Sequence, residues 1–248
     1  MKVPRSHPRY RSLKTREELS RLSDEGVVAR TGLIAHGRGE AFDYMLGERT
    51  QPFAAKAARV AAARLLLARN PVLSVNGNVA ALAGKEMIAL SKAVPAKLEV
   101  NLFHRSQARI EKVAAHMERL GAKGILGRRA TELIPGLAQP RAHCTAEGIF
   151  SADVVFVPLE DGDRAEALVR MGKAVIAVDL NPLSRTAKTA TVTIVDELTR
   201  AVPNVTKFVM EMKKWPEARL RRLVDDYDNG ANLLTARKTM AEHVIGEH

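Results

Sequence analysis

Cysteine is almost missing from this sequence: Cys144 is alone among 248 residues. That excludes an internal disulfide and any multi-cysteine metal site. Aromatic residues make up only 4%, few for the stacking platforms that hold single-stranded nucleic acid. No apolar run approaches the roughly 18 residues of a membrane-spanning helix. Residues 1–8 lack the apolar stretch of a secretory signal, so a cytoplasmic protein with no membrane partner is expected. No Gly-x-x-x-x-Gly-Lys-Ser/Thr phosphate loop occurs, which argues against a P-loop ATPase. There is no Gly-x-Ser-x-Gly nucleophile elbow. None of the seven histidines has the His-Glu-x-x-His spacing of a zinc site.

Basic residues, by contrast, are in excess. The formal charge is +11 and the pI is near 10.0, which taken alone suggests nucleic-acid binding. Their distribution argues otherwise. They are interleaved with acids, as in Arg16-Glu17-Glu18, and the densest groups, Lys213-Lys214 and residues 219–222, are short. A positive field also concentrates small anionic substrates. Nucleic acid is therefore set aside as the main partner, and a basic RNA-binding protein is kept as an alternative.

The apolar rhythm is that of an α/β protein. Residues 13–24 have helical spacing, and 54–68 form an Ala-rich helix that stops at Asn70-Pro71. Short β runs follow at 72–76, 97–101, 153–157, 174–178 and 191–195, with a weaker one at 124–126 and a helix at 104–120. Apolar strands separated by helical segments mean a mostly parallel sheet with helices on both faces. The expected organisation is a single α/β domain with its core at about 28–200. An N-terminal helical segment, 1–27, precedes it, and a helical tail, about 200–248, follows it, broken at Trp215-Pro216 and Asp228-Asn229-Gly230.

In open parallel sheets, ligands bind beyond the carboxyl ends of the strands. Those ends are polar here: Asn76-Gly77-Asn78, Asn101, residues 158–164, Asp179-Leu180-Asn181 and Asp196. The turn at Asn76-Gly77-Asn78 offers backbone N–H groups to an anion at a helix start. Glu160, Asp161 and Asp163 gather around Gly162 and could hold Mg²⁺ or a substrate ammonium, or cap the next helix. His36-Gly37-Arg38-Gly39-Glu40 reads as a glycine-hinged segment before a helix at 41–46, with Arg38 able to grip phosphate. Arg185 and Thr186 supply another cation and a hydroxyl near the fifth strand end. Cys144 has no strand-end signal and is expected to be unreactive.

These residues carry a resemblance. SHPRY with Arg16, GLIAHGRGEAFDY at 32–44, PVLSVNGNVAAL at 71–82, EVNLF at 99–103, PLEDGDR at 158–164 and DLNPLSRT at 179–186 occur in order. Together with Tyr227-Asp228-Asn229-Gly230 they resemble the archaeal phosphopantothenate synthetases, or 4-phosphopantoate–β-alanine ligases. Residues 121–147 match poorly. The resemblance implies a Rossmann-like homodimer in coenzyme A synthesis, joining 4-phosphopantoate to β-alanine with ATP and Mg²⁺ and releasing AMP and pyrophosphate. It implies ATP contacts at Arg16, Arg38, Asp179, Leu180, Asn181, Arg185, Thr186, Asp196, Glu197 and Leu198. The family often has Asn at the position of Glu197, which leaves a backbone contact there. Substrate contacts are expected from His36, Asn76, Gly77, Asn78, Asn101 and Arg164; no catalytic residue is assigned. The rival enzyme reading is a kinase or transferase on the same scaffold.

Overall fold

The computed structural model describes residues 4–7, 9–138 and 140–246. Pro8 of the SHPRY motif, residues 1–3 and the last two residues of the expected tail lie outside the described residues. Three helices open the chain: α1 (Tyr10–Asp24), α2 (Arg30–Met45) and α3 (Pro52–Leu67). Pro52 stands in the first turn of α3, where its missing N–H costs no helical bond. Strand β1 (Pro71–Val75), helix α4 (Gly77–Ala93), β2 (Lys97–Val100) and α5 (Gln107–Arg119) follow. The hairpin β3 (Glu132–Leu133) and β4 (His143–Cys144) comes next. The chain then alternates through β5 (Val154–Pro158), α6 (Gly162–Arg170), β6 (Ala174–Val178), α7 (Arg185–Thr189) and β7 (Val192–Ile194). Helices α8 (Leu198–Met212), α9 (Glu217–Asp225) and α10 (Asn229–Ile245) complete it.

The main sheet has the order β2-β1-β5-β6-β7, with every pairing parallel. Side chains alternate between its faces. Leu73, Val75, Phe156, Ile176 and Val178 pack with α3, α4, α5 and α8. Val72, Val155, Val157, Val175 and Ala177 pack with α6 and the β3–β4 hairpin. Burial on both faces explains why these strands read as continuous apolar runs. Leu19 and Leu22 of α1 and Val205 and Val209 of α8 enter the same core cluster as the strands.

Two local expectations change. Residues 36–40 are not a hinge segment but the middle of α2, which runs unbroken to Met45 and is followed by the left-handed Gly47, φ +76°. Residues 124–126 do not form a strand. Leu126 alone bridges to the β2 edge, accepting from Val100 N–H at 2.9 Å and donating to the Leu98 carbonyl at 2.8 Å. The poorly matching stretch 121–147 includes β3 and β4, and within it Ile134, Ala142 and Cys144 are buried.

Candidate active site

Strand order locates the site. From β1 the chain moves outward to β2, then returns to lay β5, β6 and β7 on the other side. The crevice of such a sheet opens where the order reverses, at the carboxyl ends of β1 and β5. Asn76 ties these two ends together. Its side-chain carbonyl caps α4 by accepting from Val79 N–H at 3.0 Å. Its amide donates to the Pro158 and Leu159 carbonyls at 3.1 Å each. Leu159 itself has φ +54°, a left-handed conformation that is an outlier for a large side chain and is held here by its surroundings.

Gly77 begins α4 against the chain before α2; a Cβ there would overlap the Val27 carbonyl. One residue on, the Asn78 amide donates to the Gly32 carbonyl at 2.9 Å. Helix α2 thus lies over the strand ends and roofs a cleft of about 480 Å³. Of the anticipated site residues, His36, Arg38, Asn76, Gly77, Asn78, Asn101, Glu160, Asp161, Leu180, Glu197 and Leu198 line it. Glu40, Leu82, Leu102, Phe103, His104, Arg109 and Leu159 join them without having been assigned a role from the sequence.

Two buried polar atoms of the lining, His36 Nε2 and Asp161 Oδ2, have no hydrogen-bond partner among the described residues. Burial holds the His36 ring below its ordinary value, against the opposing charge of Glu40. Burial pushes the Glu40 carboxyl up, but the hydrogen bonds from Ser12 (2.8 Å) and Arg16 (3.0 Å) outweigh it and the carboxyl stays low. Arg16, on α1, therefore reaches the cleft through Glu40 rather than lining it.

Other anticipated residues stand behind the wall. Arg164 is fully buried, paired with Glu160 at 3.3 Å and donating to the Arg141 carbonyl. Asp196 is 2% exposed; it accepts from Thr50 at 2.6 Å and from Arg200 Nε at 2.8 Å. The Thr186 hydroxyl donates to the Glu160 carbonyl at 2.9 Å. Asp179 accepts from Ser184, and its carboxyl is raised by burial, with Arg38 nearby opposing that rise. Asn181 shapes the same turn, its N–H on Asp179 and its side-chain oxygen on Leu183 N–H, both at 2.9 Å.

The carboxylates around Gly162 do not converge. Glu160 faces Arg164; Asp161 caps α6 by accepting from Arg164 N–H at 3.0 Å and pairs with Arg141; Asp163 pairs with Arg141 and Arg185. Among the described residues no three His, Cys, Asp or Glu side chains could jointly hold a metal ion. The physical reason is that arginines already neutralise these acids. Cys144 is buried, with its thiol pushed up to about 12 by that burial. It offers little thiolate at neutral pH.

The residues missed from sequence had weak local signals. Arg109 is three residues past the Ser106 cap of α5, an ordinary basic position. Only the place of β2 at the sheet edge brings it to the cleft.

Comparison with known proteins agrees with this geometry. The sequence model of the phosphopantothenate/pantothenate synthetases matches residues 53–243. A 4-phosphopantoate–β-alanine ligase of Thermococcus onnurineus is 53% identical over 234 residues, 94% of this chain and 90% of that protein. One of Methanosarcina mazei is 49% identical over 242 residues, 98% of this chain and 95% of its own length. With the β-strand ends, the roofing helix and near-full-length similarity in agreement, this chain belongs to the phosphopantothenate/pantothenate synthetase family.

Proposed function

We propose that this chain is a 4-phosphopantoate–β-alanine ligase that acts in coenzyme A biosynthesis with ATP as co-substrate. The observation that carries the reading is the cleft at the reversal of strand order. Its walls are built from the NGN, GLIAHGRGE and DLN motifs by which the sequence resembles the family.

A carboxylate is a poor electrophile. Attack of its oxygen on the α-phosphorus of ATP forms an acyl-adenylate and breaks the bond to pyrophosphate. The β-alanine nitrogen then attacks the acyl carbon, the bond to AMP breaks, and the nitrogen loses a proton. Little of this needs covalent help from the protein; positioning and charge neutralisation supply most of it. Leu180, Glu197 and Leu198 form the nucleotide side of the cleft, with Arg38 over it and Arg16 behind Glu40. Arg185 would share its charge between Asp163 and the phosphates. Asn76, Gly77, Asn78 and Asn101 would hold the acid. His36, held neutral by burial and with Nε2 lacking a partner among the described residues, would receive a substrate proton.

Mg²⁺ enters this reading on the phosphate oxygens of ATP. The residues present give it no carboxylate cage, so no step is assigned to it. The working unit we propose is a cytoplasmic homodimer of single-domain chains, which light scattering would test through the mass in solution.

Incubation with ATP, Mg²⁺, 4-phosphopantoate and β-alanine, each omitted in turn, tests the reaction. AMP and pyrophosphate should form only when both organic substrates are present. ADP would indicate the kinase reading. No ATP cleavage in any mixture would sink both.

A further inference from the structure

We propose that Asn229, at the start of the C-terminal helix, is a positioning residue for the nucleotide. It lines no part of the cleft. It sets α7 and the end of β7, and through them Arg185, Glu197 and Leu198 on the side where ATP would lie. The inference rests on the ligase reading above and deepens it.

The edge of the sheet creates the need. Strand β7 is three residues long and has β6 on one side only. Its outward backbone groups have no further strand to pair with. Asn229 takes that place. Its side-chain oxygen accepts from Thr193 N–H at 2.8 Å and from the Tyr227 hydroxyl at 3.2 Å. Its amide donates to the Ala187 and Ala190 carbonyls at 3.0 Å each and, at 3.4 Å, to the Thr193 hydroxyl. The donors and the acceptor of the side chain are thus all engaged. The Thr193 hydroxyl donates to the same Ala187 carbonyl at 2.8 Å.

These bonds converge on the two segments that carry the nucleotide side. Helix α7 has five residues, too few to be stable without tertiary support. Asn229 holds it from behind, while its front carries Arg185 and Thr186, with the Thr186 hydroxyl on the Glu160 carbonyl. Strand β7 leads directly to Asp196, Glu197 and Leu198. Its Ile194 carbonyl accepts from Asp179 N–H at 3.1 Å and from Asp196 N–H at 3.0 Å. The preceding residue of the tail motif serves α10 itself: Asp228 caps it by accepting from Ala231 N–H at 3.0 Å. None of the Asn229 hydrogen bonds runs to β1, β2 or α5. Its loss should therefore leave the acid side of the cleft in place.

The test is calorimetric binding of ATP with Mg²⁺, and separately of 4-phosphopantoate, to the full-length wild type, Asn229→Asp, Thr193→Val and Leu220→Ala. Asn229→Asp keeps an oxygen for Thr193 N–H but sets a carboxylate oxygen against two carbonyls, and should weaken ATP binding about 10-fold. Affinity for 4-phosphopantoate should stay within about two-fold, because no bond to that side is lost. Thr193→Val removes one hydroxyl at nearly constant shape and should weaken ATP binding about three-fold; it decides if the aspartate variant does not fold. Leu220 is buried in α9, which packs on α3. Leu220→Ala should lower the unfolding temperature yet leave both affinities within about two-fold. Unchanged ATP affinity in Asn229→Asp, or equal losses for ATP and the acid, would overturn the positioning role. So would an equal loss of ATP affinity in Leu220→Ala, since destabilisation alone would then explain it. If the acid does not bind alone, this comparison with Leu220→Ala decides. Variants that show the expected split, from a wild type that makes no AMP in the complete mixture, would sink the ligase reading and leave the role of Asn229 standing. A wild type that binds no ATP would overturn that role.

Discussion

The Asn78 side-chain amide donates to the Gly32 carbonyl at 2.9 Å, and this bond fixes the start of helix α2 over the end of strand β1. Asn78→Ala should therefore lower stability by about 1 kcal/mol, the net worth of one such bond. The larger effect should be on the cleft. KM for both the acid and ATP should rise together while the fold stays intact. Steady-state kinetics beside a thermal melt would check this; an unchanged KM would detach the bond from the site.

Gly77 makes a different demand. A methyl group there meets the Val27 backbone carbonyl, which is no flexible side-chain tip. Gly77→Ala should cost about 1–3 kcal/mol through overpacking. Denaturant melts would measure this loss. Gly37 is the control: a Cβ there meets nothing within 4 Å, so Gly37→Ala should leave stability equal or slightly higher.

Arg200 bonds to Asp43 of α2 at 3.1 Å through Nη1, and to Asp196 after β7 at 2.8 Å through Nε. Arg200→Met leaves two mostly buried carboxylates without their cation. The expected loss is about 3 kcal/mol, the range for breaking a buried pair on one side. The double variant with Asp43→Asn should recover part of it in urea unfolding, because one uncompensated charge is then gone.

Burial keeps the His36 ring below the ordinary 6.5, so its neutral form persists to lower pH than that of an exposed histidine. If the ring takes up a substrate proton, kcat should stay level as pH falls past 6.5 and drop only below it. His36→Gln should lower kcat by about 100-fold, as for loss of a general base, and remove that acid limb. A pH–rate profile of the two proteins decides it. An acid limb that survives in His36→Gln belongs to another group.

The strand ends were legible because both faces of the sheet are covered. Val72 to Val75, Val154 to Val157 and Val175 to Val178 are apolar almost without interruption, and residues just beyond them, Asn76, Glu160, Asp161 and Leu180, line the cleft. Residues 36–40 misled because glycines at 37 and 39 suggest a bend. In the fold, helical bonds carry straight through them, and a Cβ added at Gly39 would meet Leu180 at ordinary contact distance. The β3–β4 hairpin has two residues per strand, too short for any period to show. Arg164 and Asp196 looked like ligand contacts because they lie at strand ends; their distant partners, the Arg141 carbonyl and Thr50, are apparent only after folding. Arg109 needed the sheet order, which no local pattern encodes.

Helix α2 is pinned near its start by Asn78, in its middle by Ser12 and Arg16 on Glu40, and near its end by Arg200 on Asp43. It therefore serves as a fixed gauge. At about 1.5 Å per residue, His36 and Glu40 stand about 6 Å apart along its axis, and neither can move without the other. A ligand that displaced either residue would have to move a helix held at three points, so this wall of the cleft fixes the room beside it.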